Sequence, residues 1–442
     1  MAGKFHLRCK DCSYIVKDFK EWFSLNQKCP KCSGKWVLAE YQNDFSGLIP
    51  VINEANGKAK DLFHYFDYLP LNNTDNIVSE GEGIIPVERW EFLEKFAKES
   101  CNLDLEVMVY RNDMNPGTGT FKDIAAALVA SVLKEAGVKE YVVASTGNIA
   151  NAFAHYLALA GISLTVFIPQ DALLSNEAGV GSYGQRVYRV KGDYHKAKKL
   201  ASEYSQKYNV LISGGNIDPM RVEAKKTMVY EWLRLLNKLP DVYIQALSGG
   251  TGPIAIDKGI DELGNLNLIN KRPRYILIQP DQCDPMTKAW DNAKAKGFPE
   301  GWQQEYPVMD NPVTKVPTLA TGNPITFPII ADVVKNSGGE IISFTENEIS
   351  DVARLVAYET SIKIGPAATI AVGGFFEALH KGHIKNGESV MINVGEGVRR
   401  APELMNEMTY TTKLVDSLDE CEPTDRAIFR DGLWIPFNKY SR

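Results

Sequence analysis

From residue 107 to residue 394 the chain repeats one pattern: a short apolar run, a loop, then apolar residues at helical spacing. The runs fall at 107–110, 141–144, 164–168, 185–190, 210–212, 242–247, 275–278, 340–344 and 389–394. Strands separated by helices give parallel sheets covered on both faces, so the pattern predicts an α/β fold of doubly wound domains. A length of 442 residues is long for one domain and fits two or three. No internal repeat and no low-complexity linker interrupts it.

Three of the loops carry chemistry. Residues 115–123, NPGTGTFKD, form a glycine- and threonine-rich turn that delivers one lysine, Lys122, to the head of FKDIAAALVASVLKEAG. Ile124, Leu128, Val132 and Leu133 recur there at helical spacing behind Asp123, an acid suited to a first turn. A lysine at a helix start, taken alone, is ordinarily a surface charge. A lysine held in a pocket and kept unprotonated is what Schiff-base chemistry with an aldehyde cofactor needs. The other two loops favour that second reading. Ser145, Thr146, Gly147 and Asn148 stand between YVVA and IANAFAHYLALAG, where free backbone N–H groups beside two hydroxyls make a receptor for a carboxylate. A plain N-cap explains one of these residues but not the set. Ser248, Gly249, Gly250, Thr251 and Gly252 follow VYIQAL and precede PIAIDKG. Glycines let backbone amides close around a phosphate, and the hydroxyls of Ser248 and Thr251 add donors.

In order and spacing, NPGTGTFKD, ASTGN and the Gly/Ser/Thr loop resemble the motif series of the fold-type II pyridoxal-phosphate enzymes, the tryptophan synthase β family, over nearly the whole chain. The resemblance implies two doubly wound α/β domains: a large cofactor-binding domain from 41–135 and 229–442, and a small mobile domain from 136–228. It implies pyridoxal 5′-phosphate as cofactor, with Lys122 both its Schiff-base lysine and the base at the substrate Cα. It implies that Ser145, Thr146, Gly147 and Asn148 grip the substrate α-carboxylate, that Asn148 also bonds the cofactor 3-oxygen, and that Ser248, Gly249, Gly250, Thr251 and Gly252 cradle its phosphate. The partner of the pyridine nitrogen is expected near NVGEG. Many relatives place Ser or Thr directly before the G-x-G; Val394 stands there, which leaves Asn393 or Glu396.

Within that family, the lysine motif and SEGEGIIPVERW resemble threonine synthases, with Ile85 where a threonine usually stands. Phe63-His64 with Leu69-Pro70, the SGGTG loop, IQPDQCDPMTKAW, KIGPAATIAVGGFFEAL and the AFAH segment carrying His155 resemble the related cysteate synthases. The leading expectation is therefore replacement of the phosphate of O-phospho-L-serine by sulfite. Its competitor is threonine formation from O-phospho-L-homoserine and water. For His64 the choice is between an anionic substrate contact and a packed, satisfied histidine. Two anions must be accommodated in turn, and Arg111, Arg221, Lys225 and Lys363 are candidates by proximity to the motifs.

Residues 1–40 carry Cys9-x-x-Cys12 and Cys29-x-x-Cys32, sixteen residues apart. Two such pairs complete the tetrahedral thiolate set that Zn²⁺ favours, and a redox pair would not explain the duplication. A structural zinc folds a segment too short to build a core alone. Eight basic residues against four acidic ones make this zinc ribbon mildly basic, so a nucleic-acid-binding protein with an inactive cofactor fold is the alternative from another class. Zinc ribbons also occur as structural appendages in the resembling synthases. A formal charge of −6 with no long run of one sign excludes a chain-wide basic footprint, so no nucleic-acid partner is expected. MAGKFHLRCKDC lacks the apolar core of a signal peptide, and no apolar run approaches the ~18 residues of a membrane span. With an odd count of seven cysteines, this points to the reduced cytoplasm. Small-molecule substrates, a phosphoamino acid and sulfite, are the expected partners, and the resemblance favours a homo-oligomer.

Overall fold

The computed structural model describes residues 3–42, 45–54, 58–145, 147–400, 402 and 414–421. Strands β1 (Phe5–Cys9), β2 (Ile15–Val16) and β3 (Val37–Tyr41) make a three-stranded antiparallel sheet ordered β2-β1-β3. Phe5, Leu7 and Cys9 alternate inward along β1, and helix Phe19–Ser24, whose Asp18 cap accepts from the Glu21 N–H, adds buried Phe19 and Trp22. These side chains join the main hydrophobic cluster, so the small sheet is a wall of the larger body.

Strands β4 (Val87–Arg89) and β5 (Glu106–Tyr110) come next. Then β6 (Glu140–Ala144), β7 (Ser163–Pro169), β8 (Arg186–Val190) and β9 (Leu211–Ile212) form a parallel sheet ordered β8-β7-β6-β9. Finally β10 (Val242–Ala246), β11 (Arg274–Pro280), β12 (Glu340–Phe344) and β13 (Ser389–Asn393) complete a six-stranded sheet ordered β12-β11-β10-β13-β5-β4. It is parallel except for β4, a three-residue antiparallel edge. Short edges limit unwanted pairing. All nine runs read from the sequence are strands; β1 to β4 are additional. The four precede residue 107, before the stretch in which the strand–helix alternation marks the nine.

Two buried helices join the sheets. Helix Lys122–Ala136 buries every residue from Asp123 to Leu133 and stops at Gly137, whose φ of 77° is the left-handed cap that glycine adopts without strain. Helix Pro219–Leu236 starts with proline in its first turn and the Asp218 carboxylate accepting from the Met220 N–H, and it is buried from Pro219 to Trp232. Ionised side chains on so buried a helix require partners. Glu231 receives the Tyr65 hydroxyl at 2.5 Å and Arg234 at 2.7 Å. Glu223 and Lys226 meet each other at 2.8 Å within a larger cluster. Among the described residues no helix is long and apolar enough to cross a membrane.

Candidate active site

The loops after β5, β6, β9, β10 and β13 all open toward one cavity of about 450 Å³, at the carboxyl ends of the strands where open α/β sheets hold ligands. Lys122, Ser145, Gly147, Asn148, Ser248, Gly249, Gly250, Thr251, Gly252, Asn393 and Glu396 line it. Thr146 lies outside the described residues.

Lys122 faces the cavity at the start of its helix, with its amine 3.7 Å from the Phe121 ring centroid. Burial, and after it the Arg221 charge, lower that amine to about 7, with Glu396 acting in the opposite sense. Behind it, the buried Asp123 carboxylate accepts from the Thr118 N–H at 2.8 Å and the Thr118 hydroxyl at 2.6 Å, which fixes the preceding turn.

Steric demands account for the glycines of the β10 loop. A Cβ on Gly249 would fall 1.7 Å from Asn216 Nδ2, one on Gly252 2.6 Å from Gln245 Oε1, and Gly250 has a φ of 80° with Ile330 Cδ1 2.4 Å from its missing Cβ. The loop closes onto the start of helix Thr251–Asn265, whose first-turn N–H groups have no helical partner. Helix Asn148–Leu159 likewise begins at Gly147 without a side-chain cap. Two glycine-lined helix starts and an amine near neutrality fit an aldehyde that carries a phosphate. Orphaned polar atoms of the lining point the same way: Asn148 Oδ1 and Arg221 Nε are buried without a hydrogen-bond partner among the described residues.

Near NVGEG an amide relay is fixed in direction by backbone. The Gly83 N–H donates to Asn115 Oδ1 at 2.9 Å, Asn115 Nδ2 to Asn112 Oδ1 at 3.0 Å, and Asn112 Nδ2 to Asn393 Oδ1 at 2.8 Å. Glu396 accepts from the Ala367 N–H at 2.7 Å and from Asn148 Nδ2.

Of the four candidate anion-binding cations, only Arg221 lines the cavity. Arg111 is paired with Glu88 at 2.6 Å and Asp113 at 2.8 Å, and Lys363 is exposed elsewhere. Lys225 is buried behind Phe121, 4.3 Å from its ring centroid. His64 is packed, its Nε2 3.1 Å from the Val51 carbonyl, and His155 stands against Tyr156 and Tyr183 beside Glu80. Neither histidine reaches the cavity. The sequence reading missed Lys35, Lys198 and the 213–217 loop. SGGN at 213–216, after a short run, is a fourth strand-end glycine loop that had the same signal as the others.

In the N-terminal sheet the Sγ atoms of Cys9, Cys12, Cys29 and Cys32 lie within 4.8 Å of one another, with Cys9–Cys32 at 3.6 Å and Cys12–Cys29 at 3.5 Å. A tetrahedral ion with Zn–S bonds of about 2.3 Å needs sulfurs about 3.8 Å apart, so the donor set fits zinc. Substituting Cys29→Ser is expected to lower bound zinc and thermal stability together; full metal content in that variant would refute the site.

The fold and the cavity at its strand ends define an enzyme of the pyridoxal-phosphate class, and the sequence comparisons agree. Residues 78–395 match the family described as pyridoxal-phosphate dependent enzyme, and the chain belongs to that family. It is threonine synthase-like within it. The threonine synthase of Methanocaldococcus jannaschii is 27% identical over 390 residues, 84% of this chain and 92% of the relative. The cysteate synthase of Methanothrix thermoacetophila is 30% identical over 375 residues, 83% of this chain and 88% of the relative. Among solved structures, threonine deaminase isoform 2 from Solanum lycopersicum aligns with a TM-score of 0.58 at 18% identity, covering 74% of this chain and 83% of the other, a likeness of fold.

Proposed function

We propose that this enzyme replaces the phosphate of O-phospho-L-serine with sulfite to give L-cysteate. The observation that carries the reading is the charge of the cavity: apart from Lys122, which the cofactor takes, Lys35, Lys198 and Arg221 line it against one acid among the described residues, Glu396. That imbalance suits a substrate with a phosphate and a second, separate oxyanion. Similarity to a cysteate synthase at 30% identity supports it.

When bound, pyridoxal phosphate supplies the electron sink that holds the pair left by the Cα proton. The β10 loop, Ser248, Gly249, Gly250, Thr251 and Gly252, would hold its phosphate through backbone N–H groups. Ser145, Gly147 and Asn148, with Thr146 between them, would orient the substrate carboxylate. Lys122 takes the Cα proton, the C–O bond to phosphate breaks, a C–S bond to sulfite forms at Cβ, and Lys122 returns the proton to Cα. Arg221 is the cation set to receive the departing phosphate. Asn393, whose Oδ1 is taken by Asn112, has its Nδ2 left to donate to the pyridine nitrogen. A donor there suits an unprotonated ring. In the N-terminal ribbon Cys9, Cys12, Cys29 and Cys32 would hold zinc, with a structural role.

Threonine synthesis from O-phospho-L-homoserine and water is the second reading, favoured by the 27% identity to a threonine synthase. The test is a substrate matrix: phosphoserine and phosphohomoserine, each with and without sulfite, following phosphate release and the product mass. Cysteate from phosphoserine plus sulfite alone is expected. Threonine from phosphohomoserine alone would overturn the assignment.

A further inference from the structure

The zinc ribbon reaches the cavity. Lys35, three residues past Cys32, lines it with exposed Lys198, and Arg221 lines it from a buried position. The backbone on either side of Lys35 is held by the cysteine knuckle. Cys29 N–H donates to the Gly34 carbonyl at 2.8 Å, Gly34 N–H donates to Cys32 Sγ at 3.4 Å, and Lys10 N–H donates to the Trp36 carbonyl at 2.9 Å. A Cβ on Gly34 would fall 2.1 Å from Asp11 Oδ2 and 3.1 Å from Cys32 Sγ, so a side chain there would press on the knuckle. Lys35 itself is exposed and has no ion pair among the described residues.

The same knuckle is tied to a second segment of the cavity lining. Gln27, buried two residues before Cys29, donates from Nε2 to the Ile212 carbonyl at 2.6 Å, at the head of the 213–217 loop. That loop accepts Arg221 Nη1 at the Gly215 carbonyl at 2.6 Å, and its Asn216 accepts the Thr251 hydroxyl at 3.3 Å. Knuckle, loop and the glycine cradle therefore form one hydrogen-bonded wall, with Lys35 at its outer end.

We propose that the ribbon is a working part of the active site and that Lys35 is its docking group for the free inorganic oxyanion, a specificity-determining residue. The assignment rests on the reading of the reaction above, in which one reactant is a small dianion without a carboxylate or amine. Such an ion enters after the amino acid is in place, when the Ser145 loop is already taken by the substrate carboxylate. A lysine suits such docking, because its ammonium is a compact, hydrated charge on a flexible stem, able to capture an ion and pass it inward toward Arg221. A cation at the mouth also raises the local concentration of the anion.

The test uses zinc-loaded holoenzyme titrated calorimetrically with inorganic sulfate, a non-reacting oxyanion of similar charge. The variants are Lys35→Ala, Lys35→Glu and Lys35→Arg, with Lys17→Ala on the outer face of the ribbon as control. Lys35→Ala is expected to weaken sulfate about 5–10-fold with bound zinc unchanged, which is about 1.0–1.4 kcal/mol at 1.4 kcal/mol per tenfold, and Lys35→Glu to weaken it more. Lys35→Arg should stay within about twofold of wild type, because it keeps the charge. In turnover, the KM for sulfite should rise while kcat and the KM for the phosphoamino acid move little. Unchanged sulfate affinity in both the alanine and glutamate variants overturns the proposal. If the enzyme makes threonine and not cysteate, yet sulfate binding still depends on Lys35, the reaction assignment falls and the docking group stands as a site for released phosphate.

Discussion

Lys122→Ala is expected to lower turnover by at least about 10³-fold, since one residue is asked both to hold the cofactor and to move the Cα proton. The same change should erase the visible absorbance of the covalent cofactor adduct. The reasoning starts from solvation. An ordinary lysine is protonated far above neutral pH and cannot attack an aldehyde. Burial and the neighbouring Arg221 bring Lys122 down to about 7, so half of the free enzyme presents a neutral amine there. Capture of the cofactor by apoenzyme should accordingly accelerate as pH rises through about 7 and fall away below it. Lys225 supplies an internal control. Its amine is also pushed down by burial, with the Lys122 and Arg221 charges adding to that, but it lies behind Phe121 and away from the cavity lining. Borohydride reduction of the holoenzyme followed by peptide mapping should therefore place the adduct on Lys122. An adduct on Lys225, or a Lys122→Ala variant with normal activity, would remove Lys122 from its role.

The parts of this site that were legible in the sequence are those in which backbone geometry forces residue type. Gly249, Gly250 and Gly252 have no room for a Cβ or need a left-handed turn, so they leave a visible glycine pattern after a strand. The four cysteines stand out because their chemistry needs two close pairs. The cations were not legible. Arg111, Arg221, Lys225 and Lys363 look alike as letters, and only the fold shows that Arg111 is consumed by Glu88 and Asp113 while Arg221 lines the cavity. Lys35 was hidden for a related reason: nothing local marks a ribbon lysine as part of a cavity whose other walls lie far along the chain. The fold followed the same division. The nine runs with helices between them were readable, whereas β1 to β4 lie outside that alternation, and β1 and β3 pack through contacts with residues of the body far along the chain.

Those contacts give the second large effect, Glu223→Ala, expected to destabilise the protein by about 3–5 kcal/mol, the cost of stranding buried charge. Glu223 is fully buried on helix Pro219–Leu236 and ties the ribbon sheet to the cofactor-binding body. Its carboxylate accepts from the Ala39 N–H at 3.2 Å and the Tyr41 hydroxyl at 2.7 Å, both on β3. It also meets Lys226 at 2.8 Å and Lys258 at 3.3 Å. Glu262 shares both lysines, at 2.9 Å and 2.7 Å, so the cluster holds two ammonium groups against two carboxylates in a buried volume. Removing one carboxylate leaves a net positive charge and an unsatisfied β3 N–H. Glu223→Gln should cost less than alanine, because its amide oxygen can still accept from Ala39. Adding Lys226→Met to Glu223→Leu should recover part of the loss, because a buried pair replaced by apolar side chains of similar volume is often near neutral. Denaturant midpoints read these differences, with zinc content followed alongside. If the alanine variant unfolds at the wild-type midpoint, the cluster is not what holds the ribbon to the body. A variant that loses stability and zinc together would show that the ribbon's thiolates are positioned from the body, through Glu223 and β3, as well as by their own knuckles.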